Sequence, residues 1–179
     1  LIALDIQQGE KILIPDFICS VVLHPLEELG ILPLYYPTLD DLSPNWNQLE
    51  KCIEIDTKAI LMVHYFGKPQ DISRFQDFCS KKELFLIEDN AHGHGGKYKG
   101  KLLGKFGSIG ISSPWKSSTM HNGGILFLNN DNLKMTDSFQ LTEHKVSIKQ
   151  IFIKLISKRL PELKPLFKKY LLKRPFFED

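Results

Sequence analysis

No run in this 179-residue chain approaches the roughly 18 apolar residues of a membrane-spanning helix. Cysteine is scarce as well. Cys19, Cys52 and Cys79 are an odd number, too far apart for a CxxC or zinc-ribbon spacing. Both features argue against a disulfide framework and for reduced thiols in the cytoplasm. Net charge is nearly lacking, since 23 Lys and Arg against 21 Asp and Glu leave +2, so charge alone selects no partner. No nucleic-acid-binding motif, internal repeat, low-complexity tract or signal-peptide pattern is present. The chain opens on Leu1 rather than methionine, directly on what reads as a helix end. That predicts a portion of a longer protein.

What is present suits a soluble globular domain long enough to bury a core, with 42% hydrophobic and 25% charged residues. Charge is uneven along it: ten Lys or Arg lie between Lys145 and Arg174, against the single acid Glu162. Two parts are predicted, residues 1–130 and a basic helical segment 131–179, divided near Asn129-Asn130-Asp131-Asn132. In the second part Val146, Ile148, Ile151, Phe152, Leu155, Ile156 and Leu160 form a helical apolar stripe, with Lys149, Lys154 and Lys158 off it. Such a helix packs its apolar face on its domain and solvates the other. Contact of the basic helix with a membrane surface is the less favoured alternative.

In the first part, short apolar runs alternate with helix-length segments. Strands are predicted at Lys11–Ile14, Ile31–Tyr36, Ala59–Val63 and Leu84–Ile87, because continuous apolar character suits strands covered on both faces. Helices are predicted at Ile18–Leu29, stopped by Gly30, and at Asp71–Lys82, with Asp71 as N-cap. This alternation predicts an α/β fold with right-handed crossovers. Ser108–Ser112 and Gly124–Leu128 read as two more strands. Too few residues separate them for a crossover helix, so they are expected to pair antiparallel.

Ligands in open α/β sheets sit beyond the carboxyl ends of the strands. Asp16, His64, Glu88, Asp89 and Lys116 all follow such ends. An acid at a strand end and a lysine on a later loop suit a pyridoxal phosphate cofactor. It needs an amine for its aldehyde and a carboxylate to keep its pyridine nitrogen protonated, which makes the ring an electron sink. From spacing alone, however, Lys116 is one lysine of twenty, and the ordinary reading is a loop lysine.

Four stretches carry a more specific signal. Gly9-Glu10-Lys11-Ile12-Leu13-Ile14-Pro15 is similar to a "GDEVIVP" strand. Thr57 to Pro69, followed by Asp71, is similar to "TKAIIPVHLYGQPxD". Ile87 to Gly95 is similar to "IEDAAQAHG", continued by Tyr98-Lys99-Gly100, Gly104 and Phe106-Gly107. Ser113-Pro114-Trp115-Lys116 with Gly123-Gly124 is similar to "SFxPTK…GGG". In this order over residues 1 to about 130, they resemble the DegT/DnrJ/EryC1/StrS family of sugar aminotransferases, fold-type I enzymes that depend on pyridoxal 5'-phosphate (PLP).

The resemblance implies a three-layer α/β sandwich with a mostly parallel sheet, the large domain of a fold-type I PLP-dependent transferase. It also implies roles. Asp89 falls on the aspartate that pairs with the pyridine nitrogen, and Lys116 on the catalytic lysine that holds the cofactor. His92 stands where the family has glutamine near the cofactor's phenolic oxygen. Ser113, with Ser112 as second choice, falls on the phosphate-binding serine, although the loop before the lysine is two residues shorter than the pattern. Phe17 lies in the stretch beside the cofactor ring, where stacking and ordinary packing are both open. For His64, direct contact and support from behind are equal readings.

The implied reaction moves an amino group from an amino-acid donor, by resemblance glutamate, to a keto-sugar nucleotide, in a homodimer with its sites at the interface. The family's phosphate-holding helix start would precede Leu1, so the chain alone is expected to be incomplete. Other readings stand beside this one. A non-catalytic relative would keep the fold for binding or regulation. A sugar dehydratase of the same family would carry histidine in place of the lysine, which the retention of Lys116 opposes. Metal binding by Glu88, Asp89, His92 and His94 lacks a further ligand motif elsewhere.

Overall fold

The structure, a computed structural model, describes residues 1–117, 123–130 and 133. Six strands make the main sheet: β1 (Lys11–Pro15), β2 (Leu32–Tyr36), β3 (Thr57–Val63), β4 (Phe85–Asn90), β7 (Ile109–Ser112) and β8 (Ile125–Leu128). Their order is β2-β1-β3-β4-β7-β8. The first five pair in parallel, and β8 runs antiparallel to β7, with Ile109 opposite Leu128 and Ser112 opposite Ile125. A separate antiparallel hairpin joins β5 (Lys97–Tyr98) to β6 (Lys101–Leu102). The helices are α1 (His24–Leu29), α2 (Trp46–Leu49), α3 (Ile72–Lys82) and the single turn α4 (Pro114–Ser117).

The apolar runs are continuous because both faces of the sheet are covered. Successive strand residues point to opposite faces, and the core divides accordingly. Ile12, Ile14, Leu61, Val63 and Ile87 pack with Leu26 of α1. Leu13, Ile60, Met62 and Leu86 pack with Phe75 and Phe78 of α3 and with Leu49 of α2. The helices therefore lie on both sides of the sheet, the three-layer arrangement expected of the sequence.

One predicted helix changes for a local reason. The segment Ile18–Leu29 is not one helix but a 3-10 turn over Ser20–Val22 followed by α1. Pro25, at the first turn of α1, has no N–H to give to an earlier carbonyl, so a helix begins there more readily than it continues through. Gly30 ends α1 at φ 63°, as a left-handed cap. Asp71 caps α3, its Oδ1 accepting the Arg74 N–H at 3.2 Å. Among the described residues no helix is long and apolar enough to cross a membrane. The predicted basic helical segment 131–179 lies outside the described residues apart from Leu133.

The burial of α3 is open to a chemical check. Cys79 is buried on its inner face, and burial pushes the thiol up to about 12, whereas Cys19 is exposed and Cys52 intermediate. A thiol so disfavoured as thiolate does not react at neutral pH. Native-state alkylation at pH 7.5, followed by peptide mass spectrometry, is expected to modify Cys19 first, Cys52 more slowly and Cys79 only after denaturation.

Candidate active site

The candidate residues gather where β1, β3, β4 and β7 end. Strand β4 brings two carboxylates in succession, with Glu88 opposite Met62 and Asp89 opposite Val63 of β3. The pleat sends Glu88 to the α3 side with Leu86, and Asp89 to the α1 side with Ile87.

Glu88 is fully buried and saturated with donors. Its Oε1 accepts from His64 Nε2 at 3.0 Å and from the Gly104 N–H at 2.6 Å. Its Oε2 accepts from the N–H groups of Phe106 and Gly107 at 2.6 and 3.1 Å. Burial pushes its pKa up, but these four donors outweigh it and hold the carboxyl below its usual range. His64 is also fully buried, so of its two readings the geometry favours support from behind over contact with a ligand.

Asp89 is treated differently. It is 7% exposed, and its Oδ1 accepts one hydrogen bond, from the Ala91 N–H at 2.8 Å. Burial raises its pKa, against the pull of that bond and of the Lys116, His92 and His64 charges. Lys116, exposed on α4, thus acts on Asp89 through charge, yet the two form no ion pair. The backbone N–H of Lys116 donates to Ser113 O at 3.1 Å, closing the turn that follows β7.

His92 leaves β4 on an exposed turn. Its ring stacks on Phe66 at 5.9 Å with 9° between planes, and its Nδ1 accepts the Phe66 N–H at 3.4 Å. Phe66 holds the left-handed φ of 53°, a strained conformation for a side chain of that size. The turns can meet because Gly67 and Gly93 touch: a Cβ on Gly93 would stand 2.8 Å from Gly67 Cα.

The remaining residues divide between the site's rim and its base. Phe17 is exposed beyond β1, its ring tilted against Tyr65 at 5.8 Å. The Tyr65 hydroxyl donates to Phe17 O at 2.6 Å. Burial, then the charges of Asp16 and Asp89, raise the Tyr65 pKa. Sequence reading passed over Tyr65 and Phe66, although they directly follow the end of β3. Ser113 is half-buried after β7, whereas Ser112 is buried, its hydroxyl 3.0 Å from His94 Nδ1. Among the described residues no three His, Cys, Asp or Glu side chains form a metal cluster. A cleft of about 330 Å³ beside Tyr65 and Phe66, lined by Asp41, Ser43 and Lys68, includes neither Asp89 nor Lys116.

Comparison with known proteins decides the family. Residues 1–155 match the DegT/DnrJ/EryC1/StrS aminotransferase family. The chain belongs to it. GDP-perosamine synthase of Escherichia coli O157:H7 is 32% identical over 139 residues, which are 74% of this chain and 37% of that protein. Among solved structures, a DegT DnrJ EryC1 StrS aminotransferase from Brucella abortus superposes with a TM-score of 0.65 at 27% identity, covering 73% of this chain and 38% of its own. E. coli GDP-4-keto-6-deoxy-D-mannose-3-dehydratase with bound hydrated PLP superposes with a TM-score of 0.61 at 25% identity, over 69% and 33%. The chain thus spans little more than a third of the length of the curated relatives it matches. The likeness agrees with the fold expected of this family, a mostly parallel sheet covered by helices.

The lowered pKa of Glu88 has a consequence for stability. Its contribution is fully present above the unfolded value of 4.5 and is lost as pH falls through the lower folded value. Glu88→Gln would turn an amide N–H₂ toward backbone donors and is expected to cost about 3 kcal/mol at pH 7. Urea titrations of both proteins should show that difference narrowing only below about pH 4.5.

Proposed function

We propose that this chain is the core of the PLP-binding large domain of a sugar aminotransferase. It would move an amino group from an amino-acid donor, glutamate on the family resemblance, to a keto-sugar nucleotide. The observation that carries the reading is Asp89. This carboxylate is buried, and burial raises its pKa. Only Oδ1 has a hydrogen-bond partner among the described residues. It lacks a cation in direct contact, and a pyridinium N–H would supply one. Lys116 stands within charge range without forming an ion pair, which suits an amine reserved for a bound group.

Bound here, PLP would supply an aldehyde that reacts with amines and a ring that withdraws electrons from the substrate. The chain's own residues would do the rest. Asp89 accepts the ring N–H and keeps it protonated. Lys116 Nζ, when free, would act as general base and then acid, moving a proton between the substrate carbon and the cofactor. His92 donates toward the phenolic oxygen. Ser113, or as second choice Ser112, would meet the phosphate, and Phe17 would flank the ring.

The name of GDP-perosamine synthase supports a nucleotide-linked sugar as acceptor. A dehydratase also stands among the structural neighbours, and Lys116 favours the aminotransferase over it. We place the complete enzyme in the cytoplasm as a homodimer, with the domain boundary near residue 130.

The deciding test uses the full-length protein. After incubation with PLP and reduction with borohydride, peptide mass spectrometry is expected to find the pyridoxyl group on Lys116, and Lys116→Ala should lower turnover by roughly 10²–10⁴. Labelling scattered over surface lysines, or none, would refute the assignment and favour a non-catalytic relative.

A further inference from the structure

The buried pair behind the site reaches one of its exposed residues. His64 Nδ1 accepts the backbone N–H of Gln70 at 3.2 Å. A ring nitrogen that accepts a backbone N–H carries no proton, so the His64 hydrogen is on Nε2 and donated to Glu88. His64 is therefore a strut of fixed orientation. One end meets a carboxylate that also holds the 104–107 turn, and the other holds the turn running from Tyr65 to Gln70.

That turn carries Phe66, whose N–H and ring both face His92. By the same logic the His92 hydrogen is on Nε2, which makes no hydrogen bond among the described residues. The 3.4 Å contact from Phe66 is too long to fix the imidazole by its own strength. Phe66 is also in a conformation it would leave if released. What holds both is the anchoring of the turn through Gln70 to His64. The Asp89 and Lys116 side chains make no hydrogen bond to His64 among the described residues, so its replacement leaves their direct contacts in place.

We propose that Glu88 and His64 are positioning residues for His92. They fix the turn so that Phe66 presents the imidazole as an Nε2–H donor to an anionic ligand oxygen. On the reading given above that oxygen is the phenolic oxygen of PLP. The inference rests on that reading for its ligand and on this chain's own geometry for the rest.

The test uses full-length protein with ¹⁵N-labelled histidines. His92 ring shifts are recorded without cofactor, and the visible absorbance is then titrated against pH with PLP bound. The unaltered protein should show His92 as the Nε2–H tautomer. In His64→Leu the tautomers should exchange. The absorbance midpoint should rise by about one unit, because a donor to the anionic form has been lost. His64→Gln, which can still accept from Gln70 and donate to Glu88, should restore both readouts. Gln70→Pro, which removes the backbone N–H that His64 Nδ1 accepts and leaves the buried pair itself in place, should reproduce the His64→Leu result, which keeps the test decisive if His64→Leu fails to fold. Folded variants with unchanged His92 shifts and an unchanged midpoint would overturn the proposal. A tautomer change in a protein that binds no PLP would uphold the positioning and refute the aminotransferase reading.

Discussion

Strand β4 places Glu88 and Asp89 side by side, and the pleat carries their carboxylates to opposite faces of the sheet. A buried carboxylate is tolerated where donors replace its water. On the α3 side Glu88 meets four, from β3's end and from the turn before β7. It is thereby committed as a structural anion. Among the described residues Asp89 meets one donor and no ion-pair partner, so its charge remains available to a ligand. The rest of the site depends on this difference. Were Glu88 unsatisfied, the 104–107 turn and the end of β3 would lose their common anchor. Were Asp89 satisfied in the same way, there would be nothing for a cationic ring nitrogen to answer.

The sheet was legible in the sequence because it is covered twice. Strands buried on both faces favour unbroken apolar runs, and Ile12–Ile14, Ala59–Val63 and Leu84–Ile87 stand out for that reason. The antiparallel turn into β8 followed from the short connection after Ser112. The four-residue helix α2 and the two-residue strands β5 and β6 escaped notice, since a period cannot repeat in so few residues. The break in Ile18–Leu29 was written in Pro25, which the apolar spacing concealed.

The site was legible in its identities and not in its contacts. Asp89, His92 and Lys116 were reached through their place in motifs. Those motifs do not say that His64 meets Glu88 24 residues away, or that Phe66 lies flat on His92 from 26 away. Such pairings depend on the register between β3 and β4, which brings Val63 level with Asp89. Tyr65 is the same kind of case. Its hydroxyl reaches back 48 residues to the carbonyl of Phe17, so the placement of a ring expected from the sequence is set by a residue that was not.

The loop that carries His92 departs from the pattern it resembles at two further positions, and the departures compensate. Residues 87–95 resemble "IEDAAQAHG", with alanine where this chain has Asn90 and Gly93. Asn90 Oδ1 lies 2.5 Å from where a Cβ on Gly93 would stand, so the longer side chain at 90 takes up the space released at 93. Asn90 Nδ2 donates to the carbonyls of Gly93 and Leu103 at 2.9 and 3.4 Å. Its Oδ1 has no hydrogen-bond partner among the described residues, and an unmet buried acceptor costs about 1–3 kcal/mol. Restoring alanine at 93 alone would force a methyl into that oxygen, while restoring it at 90 alone would remove the side-chain donor to Leu103 O and leave Gly93 O with the Gly96 N–H. Neither change is a loss of the family pattern by itself. Together they exchange one filled volume for another and leave the turn into His92 where Phe66 can meet it.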